Sequence, residues 1–250
     1  MSQASENHYG KVYLVGAGPG DPRLITVRGA ECLAAADLVL YDYLVNPQTT
    51  RYAPASAECV CLGHPHGGRE VLQQEINRRM VAAARDGKNV VRLKSGDPFL
   101  FGRGAEEVQA LIVAGIPYEV VPGVTAAFAV ASHAGIPLTH RDRASAVALI
   151  TGHRRGDGAG TELDYSCLAQ FPGTLVFYMG MTNARQWSEA LLRGGRSPDT
   201  PVAIVRRVSW PNQETFRCTL GTVVELIEQR SICPPAIIVV GEVVGLAFST

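Results

Sequence analysis

The sequence predicts two α/β domains, the first built on a largely parallel sheet and the second on a mixed one. Three observations carry this. The first half alternates apolar, strand-length runs with amphipathic, helix-length segments, a rhythm that lays helices on the faces of a parallel sheet. The run Gly135-Ile-Pro-Leu-Thr-His140-Arg-Asp-Arg143 then interrupts that rhythm with glycine, proline and charge, and reads as an inter-domain link. In the second half two strands follow one another without an intervening helix, which points to a mixed sheet. The expected organisation is a flexible N-terminal tail over residues 1–10, a first domain over 11–136 and a second over 137–250.

The elements follow in order. Valine, leucine and tyrosine concentrate in strands predicted over 11–16, 37–41, 58–62, 89–94 and 118–121. Between them, segments rich in Ala, Glu, Gln and Arg at helical spacing predict helices over 24–36, 69–85, 104–114 and 125–134. In 69–85, residues Val71, Leu72, Ile76, Met80, Val81 and Ala84 form one stripe, which is a core face. The second half offers strands over 144–150, 174–178, 201–206, 214–220 and 236–243, and helices over 164–170, 183–193 and 222–229. Residues 154–160, glycine-rich and charged, read as an exposed, mobile loop.

A chain of 250 residues with formal net charge zero can bury a large core. It lacks the basic excess of a general nucleic-acid binder. No apolar run approaches the roughly 20 residues of a membrane span, and the polar start Met1 to Tyr9 has no signal-peptide pattern. The expected location is the cytoplasm, with no nucleic-acid or membrane partner. Lysine occurs only at 11, 88 and 94, so 20 of the 23 basic residues are arginine. Arginine grips carboxylates bidentately, as a polycarboxylate ligand would require, although arginine-rich codon usage explains the bulk of them as well.

Six cysteines form no CxxC pair. Cys59, Cys61, His64 and His66 have the spacing C-x-C-x-x-H-x-H, but the two cysteines sit in an apolar strand and share one face. They read as small core or face residues rather than ligands, and no metal is expected.

The stretch Val12-Tyr-Leu-Val-Gly16-Ala-Gly18-Pro19-Gly20-Asp21 runs a strand into closely spaced glycines, as a dinucleotide-binding loop does. The fingerprint's third glycine is replaced by Asp21, followed by Pro22, so the pyrophosphate-capping helix cannot start there. Asp42, about 20 residues on, stands where a ribose-binding acid would. A nicotinamide-binding module is therefore the alternative from a different class.

Open parallel sheets bind ligands beyond the carboxyl ends of their strands. The candidate loops are 16–21, Tyr41-Asp42, Lys94-Ser95-Gly96-Asp97-Pro98, Pro122-Gly123-Val124-Thr125-Ala126 and Tyr178-Met179-Gly180. In the runs VGAGPGDPRLIT, ADLVLYD, VVRLKSGDPFLFGRGAEE, VVPGVTAA, GIPLTHRD, ITGH, TLVFYMG, PVAIV and IIVVGEVV, spanning about Lys11 to Leu246, the chain resembles the tetrapyrrole methylase family. Within that family it is most similar to members acting on uroporphyrinogen III.

The resemblance implies two α/β domains with a ligand cleft between them, S-adenosylmethionine as the methyl donor (leaving S-adenosylhomocysteine), and a homodimer. It implies cofactor contacts at Pro19, Ser95, Gly96, Asp97, Leu100, Thr125, Ala126, Met179, Val208 and Ala236. Around Val208 the run 206–210 departs from the family pattern. The implied reaction methylates two pyrrole carbons of uroporphyrinogen III in turn, giving precorrin-2. The pyrrole is itself the nucleophile, so the protein's tasks are alignment and removal of a proton. Asp42 matches the family's proton acceptor, while a hydrogen-bonded structural carboxylate is its plainer reading. His64 stands where the family pattern Val-Gly-Lys places a proton-donating lysine. Histidine titrates nearer neutrality, so that role survives with a sharper pH dependence or was never essential. Arg103, Glu106 and Arg141, with Met179, are the substrate-side residues, Arg103 also being a catalytic candidate. Arg92, inside an apolar strand, is costly to bury unpaired; an internal salt bridge and an orienting role explain it equally.

Overall fold

The computed structural model describes residues 8–63, 72–152, 163–246 and 248. The chain divides into two units, Met1–Thr125 and Ala126–Thr250.

In the first unit, strands β1 (Val12–Gly16), β2 (Leu38–Asp42), β3 (Glu58–Leu62), β4 (Val90–Lys94) and β5 (Tyr118–Val121) form one sheet in the order β3-β2-β4-β1-β5. Every pairing is parallel. Parallel sheets are covered on both faces, which is why β1 and β4 are nearly continuous apolar runs. One face carries a core of Val12, Leu14, Leu40 and Val90 against Ile76, Met80 and Leu111. These come from helices α2 (Gln73–Arg85) and α3 (Gly104–Ala114). The other face packs Val15, Val39, Val91 and Leu93 against Cys32 and Leu33 of α1 (Val27–Ala34).

Helix α1 starts later than the expected 24. Pro22–Leu24 is a separate 3-10 turn, residues 25 and 26 are extended, and the Thr26 hydroxyl caps the Gly29 N–H at 3.0 Å. In the stripe expected over 69–85, Ile76, Met80 and Ala84 are buried, whereas Leu72 is exposed ahead of α2. Val71 lies outside the described residues. A further 3-10 segment, Pro47–Tyr52, was not expected.

The second unit comprises α4 (Ala126–His133), β6 (Val147–Thr151), α5 (Tyr165–Ala169), β7 (Thr174–Tyr178), α6 (Ala184–Arg193), β8 (Pro201–Arg206), β9 (Glu214–Thr219), α7 (Val223–Arg230) and β10 (Ala236–Val240). Its strands run β6-β7-β10-β8-β9. Only β6 and β7 pair in parallel, so the sheet is mixed as expected. The last strand, β10, occupies its middle. The core gathers Leu175, Phe177, Trp187, Leu191, Ile204 and Ile238. Trp187 stacks on Phe177 with centroids 4.6 Å apart, and its indole donates to the Gly180 carbonyl at 2.9 Å. The strand expected to run to 243 ends at Val240, where Gly241 takes φ +146° and a 3-10 turn, Glu242–Leu246, follows.

The division after Thr125 falls before the expected 136/137 boundary. Helix α4 packs on β10, and the supposed linker is built into the second unit. Ile136 and Leu138 are buried there, and the Leu138 carbonyl accepts from the Thr174 hydroxyl at 2.8 Å. The loop expected over 154–160 lies outside the described residues.

Candidate active site

In the first unit the loops leaving β1, β4 and β5 meet over backbone alone. A Cβ on Gly16 would fall 2.5 Å from the Gly123 Cα and 2.6 Å from the Gly96 carbonyl oxygen. Only glycine permits this approach. Gly18 and Gly96 exchange backbone hydrogen bonds of 2.8 and 3.3 Å, both with φ near +70° (78° and 68°). Asp97 staples the junction: Oδ1 accepts from the Phe99 N–H at 2.8 Å and Oδ2 from the Gly123 N–H at 3.1 Å. Each carboxylate oxygen still has acceptor capacity for a ligand. Pro19 is buried, Ser95 and Leu100 half-buried and Thr125 buried. Asn46, which the sequence reading passed over, is buried and donates to the Gly20 carbonyl at 2.8 Å. The Asn46-Pro47 pair was the available signal.

Asp21 caps the 3-10 turn by accepting from the Arg23 N–H at 2.9 Å. Its side chain is also salt-bridged to the Arg23 guanidinium at 2.7 Å. No helix of pyrophosphate-binding length begins at that loop, in line with the break expected at Asp21-Pro22.

Beneath the strand ends lies a cluster of four charges. Arg92, 2% exposed, and Lys94 share one face of β4, while Glu107 of α3 is wholly buried. Asp42, at the end of β2, is 29% exposed. Arg92 hydrogen-bonds Asp42 Oδ1 through Nη2 and Glu107 Oε1 through Nε, the latter at 2.9 Å. Lys94 Nζ lies 3.0 Å from Glu107 Oε2 and 3.9 Å from Asp42 Oδ2. Burial opposes the charge on Arg92, yet Asp42 and Glu107 together outweigh it and raise its pKa. For Lys94 the balance goes the other way: burial, and then Arg92, hold it below the ordinary lysine value. The salt bridge expected for Arg92 is thus present, and one of its partners is the candidate base.

The sequence reading selected Glu106, which is exposed and paired with Arg103, Nε to Oε1 at 3.0 Å and Nη2 to Oε2 at 2.6 Å. Its neighbour Glu107 was missed. The signal was helical phase, since Gly104, Glu107 and Leu111 recur at spacings of three and four and are the buried residues of α3. Arg103 itself sits at φ +57° ahead of α3, next to Phe101 at +55°. Backbone held in the left-handed region by bulky residues gathers at functional sites.

The second unit shows the same feature at two strand ends. Met179, 49% exposed, follows β7 at φ +52°, and Arg207 and Ser209 flank the buried Val208 at +50° and +64°. The Ala127 N–H at the start of α4 donates to the Tyr178 hydroxyl at 3.0 Å, which fixes α4 beside the Tyr178-Met179-Gly180 turn. Ala126 and Ala236 are half-buried, and Arg141 is exposed in the turn closed by His140 and Ala144.

Cys59 and Cys61 lie exposed on the edge strand β3, so they are surface rather than core residues. Among the described residues no group of three or more His, Cys, Asp or Glu could hold a metal. His64 and His66 lie outside the described residues.

The family model for tetrapyrrole (corrin/porphyrin) methylases matches residues 11–224. A siroheme synthase of Zymomonas mobilis is 50% identical over 237 residues, covering 95% of this chain and 50% of its own length. One from Sodalis glossinidius is 49% identical over 243 residues, covering 97% and 51%. The chain thus spans about half the length of these curated relatives. The uroporphyrin-III C-methyl transferase of Thermus thermophilus, solved with S-adenosylhomocysteine, superposes with TM-score 0.80 at 42% identity, covering 95% of this chain and 100% of that one. A cobalt precorrin-4 methyltransferase gives TM-score 0.84 at 31% identity, covering 97% and 99%. A diphthine synthase, 18% identical with TM-score 0.62 over 93% and 90%, shares the fold alone. With its all-parallel first sheet, its mixed second sheet and a family match covering most of its length, the chain belongs to the tetrapyrrole methylases.

Proposed function

We propose that the protein is an S-adenosylmethionine-dependent C-methyltransferase that converts uroporphyrinogen III to precorrin-2 by two successive methylations. The observation that carries this is the 42% identity to the Thermus enzyme across its full length. Backbone similarity alone persists down to the diphthine synthase, at 18% identity.

The residues present suit the methyl donor. Gly96 presents backbone without a side chain, its missing Cβ having nothing nearer than Thr125 at 3.8 Å. Around it stand peptide groups, the Asp97 carboxylate and the Thr125 hydroxyl, a set that suits an adenosine and an amino-acid head without a phosphate. The basic side chains Arg23 and Arg103 in the neighbouring loops are each paired to an acid. When bound, S-adenosylmethionine supplies an electrophilic methyl group on a sulfonium. The residues that would hold it are Pro19, Ser95, Gly96, Asp97, Leu100, Thr125, Ala126, Met179, Val208 and Ala236, on the family resemblance.

The methylated β-carbon already bears a side chain and becomes quaternary, so the proton that restores neutrality leaves from elsewhere on the macrocycle, and Asp42 accepts it. The hydrogen bond from Arg92 fixes the Asp42 carboxylate in direction, while its partial exposure leaves it accessible. Arg103, oriented by Glu106, and Arg141 meet substrate carboxylates. His64 remains a candidate proton donor on the sequence match. The family resemblance supports a homodimer in the cytoplasm; among the described residues no helix is long and apolar enough to cross a membrane.

Anaerobic incubation with uroporphyrinogen III and S-adenosylmethionine should yield a product carrying two added methyl groups with the absorbance of precorrin-2. A second reading, methylation of a later corrin intermediate, draws on the TM-score of 0.84 to the precorrin-4 enzyme. Turnover of a precorrin-4 substrate with none of uroporphyrinogen III would establish it in place of the first.

A further inference from the structure

We propose that Lys94 and Glu107 are positioning residues for Asp42, a buried compensating pair that sets how strongly the Asp42 carboxylate holds a proton. The proposal rests on Asp42 being the base of the reaction above and adds what governs that base.

The geometry divides Glu107 between two cations. Oε1 accepts from Arg92 Nε at 2.9 Å and from Gln73 Nε2 at 3.1 Å. Oε2 lies 3.0 Å from Lys94 Nζ, yet it is the buried side-chain oxygen that, among the described residues, has no aligned hydrogen bond. That contact is an ion pair held by charge rather than by direction. An ammonium group rotates its three donors freely, and the Asp42 carboxylate is the other anion in reach, 3.9 Å away. Glu107 therefore draws Lys94 and Arg92 partly away from Asp42.

Two cations and two anions balance, as buried charges must. The cluster meets solvent mainly at Asp42, the member that is 29% exposed while the other side chains are 3% or less. Among the described residues, the titratable groups facing Asp42 are Arg92 and Lys94 from β4, Glu107 behind them from α3, and Cys61 from β3. The Cys61 thiol is raised, by burial first and then by Asp42, and so stays neutral. The adjustable charges are those of Lys94 and Glu107.

The two residues act with opposite sign. Glu107→Gln leaves both cations bearing on Asp42, which then releases its proton at lower pH. Lys94→Met removes a cation, and Asp42 holds its proton to higher pH. Removing both restores the balance. A role confined to the fold would damage all variants alike and would move no titration.

The test is a carboxyl titration of Asp42 in protein labelled with carbon-13 aspartate, the resonance being assigned by its loss in Asp42→Asn. Glu107→Gln should lower the midpoint and Lys94→Met raise it, each by about one pH unit. The double variant Lys94→Met/Glu107→Gln should return to within about 0.3 of wild type. The acid limb of the methylation rate should move with each midpoint, while S-adenosylhomocysteine affinity stays constant. Single variants that shift together, or not at all, overturn the proposal. If a single variant fails to fold, the double variant decides: a midpoint about one unit from wild type overturns it. If the midpoints move as expected but wild type leaves uroporphyrinogen III unmethylated, the substrate reading falls and the coupling stands.

Discussion

Replacing Gly123 with alanine tests the three-glycine junction directly. The added Cβ would lie 2.1 Å from the Gly96 carbonyl oxygen, 2.7 Å from the Gly16 Cα and 2.8 Å from the Gly16 carbonyl carbon. Every obstacle is backbone, so no side-chain rotation relieves it. Ordinary contact begins near 3.4 Å, so the β5 loop must retreat by 3.4 − 2.1 = 1.3 Å. That carries the Gly123 N–H beyond hydrogen-bond reach of Asp97, from which it now lies 3.1 Å. Overpacking of this kind costs about 1–3 kcal/mol, and a hydrogen bond to a charged group contributes about 1.5–3. The expected destabilisation of the first unit is about 3–5 kcal/mol. Gly115→Ala is the control. It has φ +68° but nothing within 4 Å of its Cβ, and should cost only the strain of the left-handed backbone, about 1–2 kcal/mol. Both tryptophans, Trp187 and Trp210, lie in the second unit, so fluorescence would miss the effect. Hydrogen exchange of the β1, β4 and β5 amides reads it, and calorimetry with S-adenosylhomocysteine reads the ligand side. Gly123→Ala that matches wild type within about 0.5 kcal/mol in both would refute the close-approach reasoning.

Asp42→Asn should keep S-adenosylhomocysteine affinity and lower single-turnover methylation by about 10²–10⁴-fold, the range of general-base catalysis; a wild-type rate would remove it from the chemistry. Arg103→Ala and Arg141→Ala should each weaken tetrapyrrole binding by about 1.5–3 kcal/mol, and unchanged affinity would leave them as surface residues. Acid should loosen one seam of the first unit. Glu119 is lowered from 4.5 to about 2 by hydrogen bonds from Arg28 and then Lys11. Its contribution is therefore complete above pH 4.5 and is lost as pH falls toward 2. Glu119→Gln should remove that part of the acid transition, which circular dichroism can follow.

Most strands were legible as apolar runs closed by turn residues, and β1, β4 and β7 bury almost every position, whereas the edge strand β9 is polar and buries none. Boundaries failed where local hydrogen bonds compete with periodicity. The Thr26 cap delays α1, and the Gly241 backbone ends β10. The 3-10 segment after Asn46 has no hydrophobic period to read. Asp42 and Arg92 could be selected from their positions at and inside strands. Glu107 could not be told from Glu106 by composition, because identical side chains one residue apart differ only in helical phase: one is wholly buried on Arg92 and Lys94, the other is exposed beside Arg103. Lys94 was hidden for a related reason. A lysine before a Ser-Gly-Asp turn looks like a surface residue until the alternation Val90, Arg92, Lys94 is laid on the covered face of a sheet.

The central place of β10 has a consequence for how the chain is made. The first sheet is complete once Val121 has been synthesised, but β7, finished at Tyr178, and β8, finished at Arg206, have no strand between them until Val240, 240 − 178 = 62 and 240 − 206 = 34 residues later. At about 5–20 residues per second, translation leaves the inner edge of β7 unpaired for roughly 3–12 s and that of β8 for roughly 2–7 s. Unpaired edges rich in valine and isoleucine are templates for association with other chains. The second unit therefore depends, during synthesis, on whatever shields those two strands until the last one arrives.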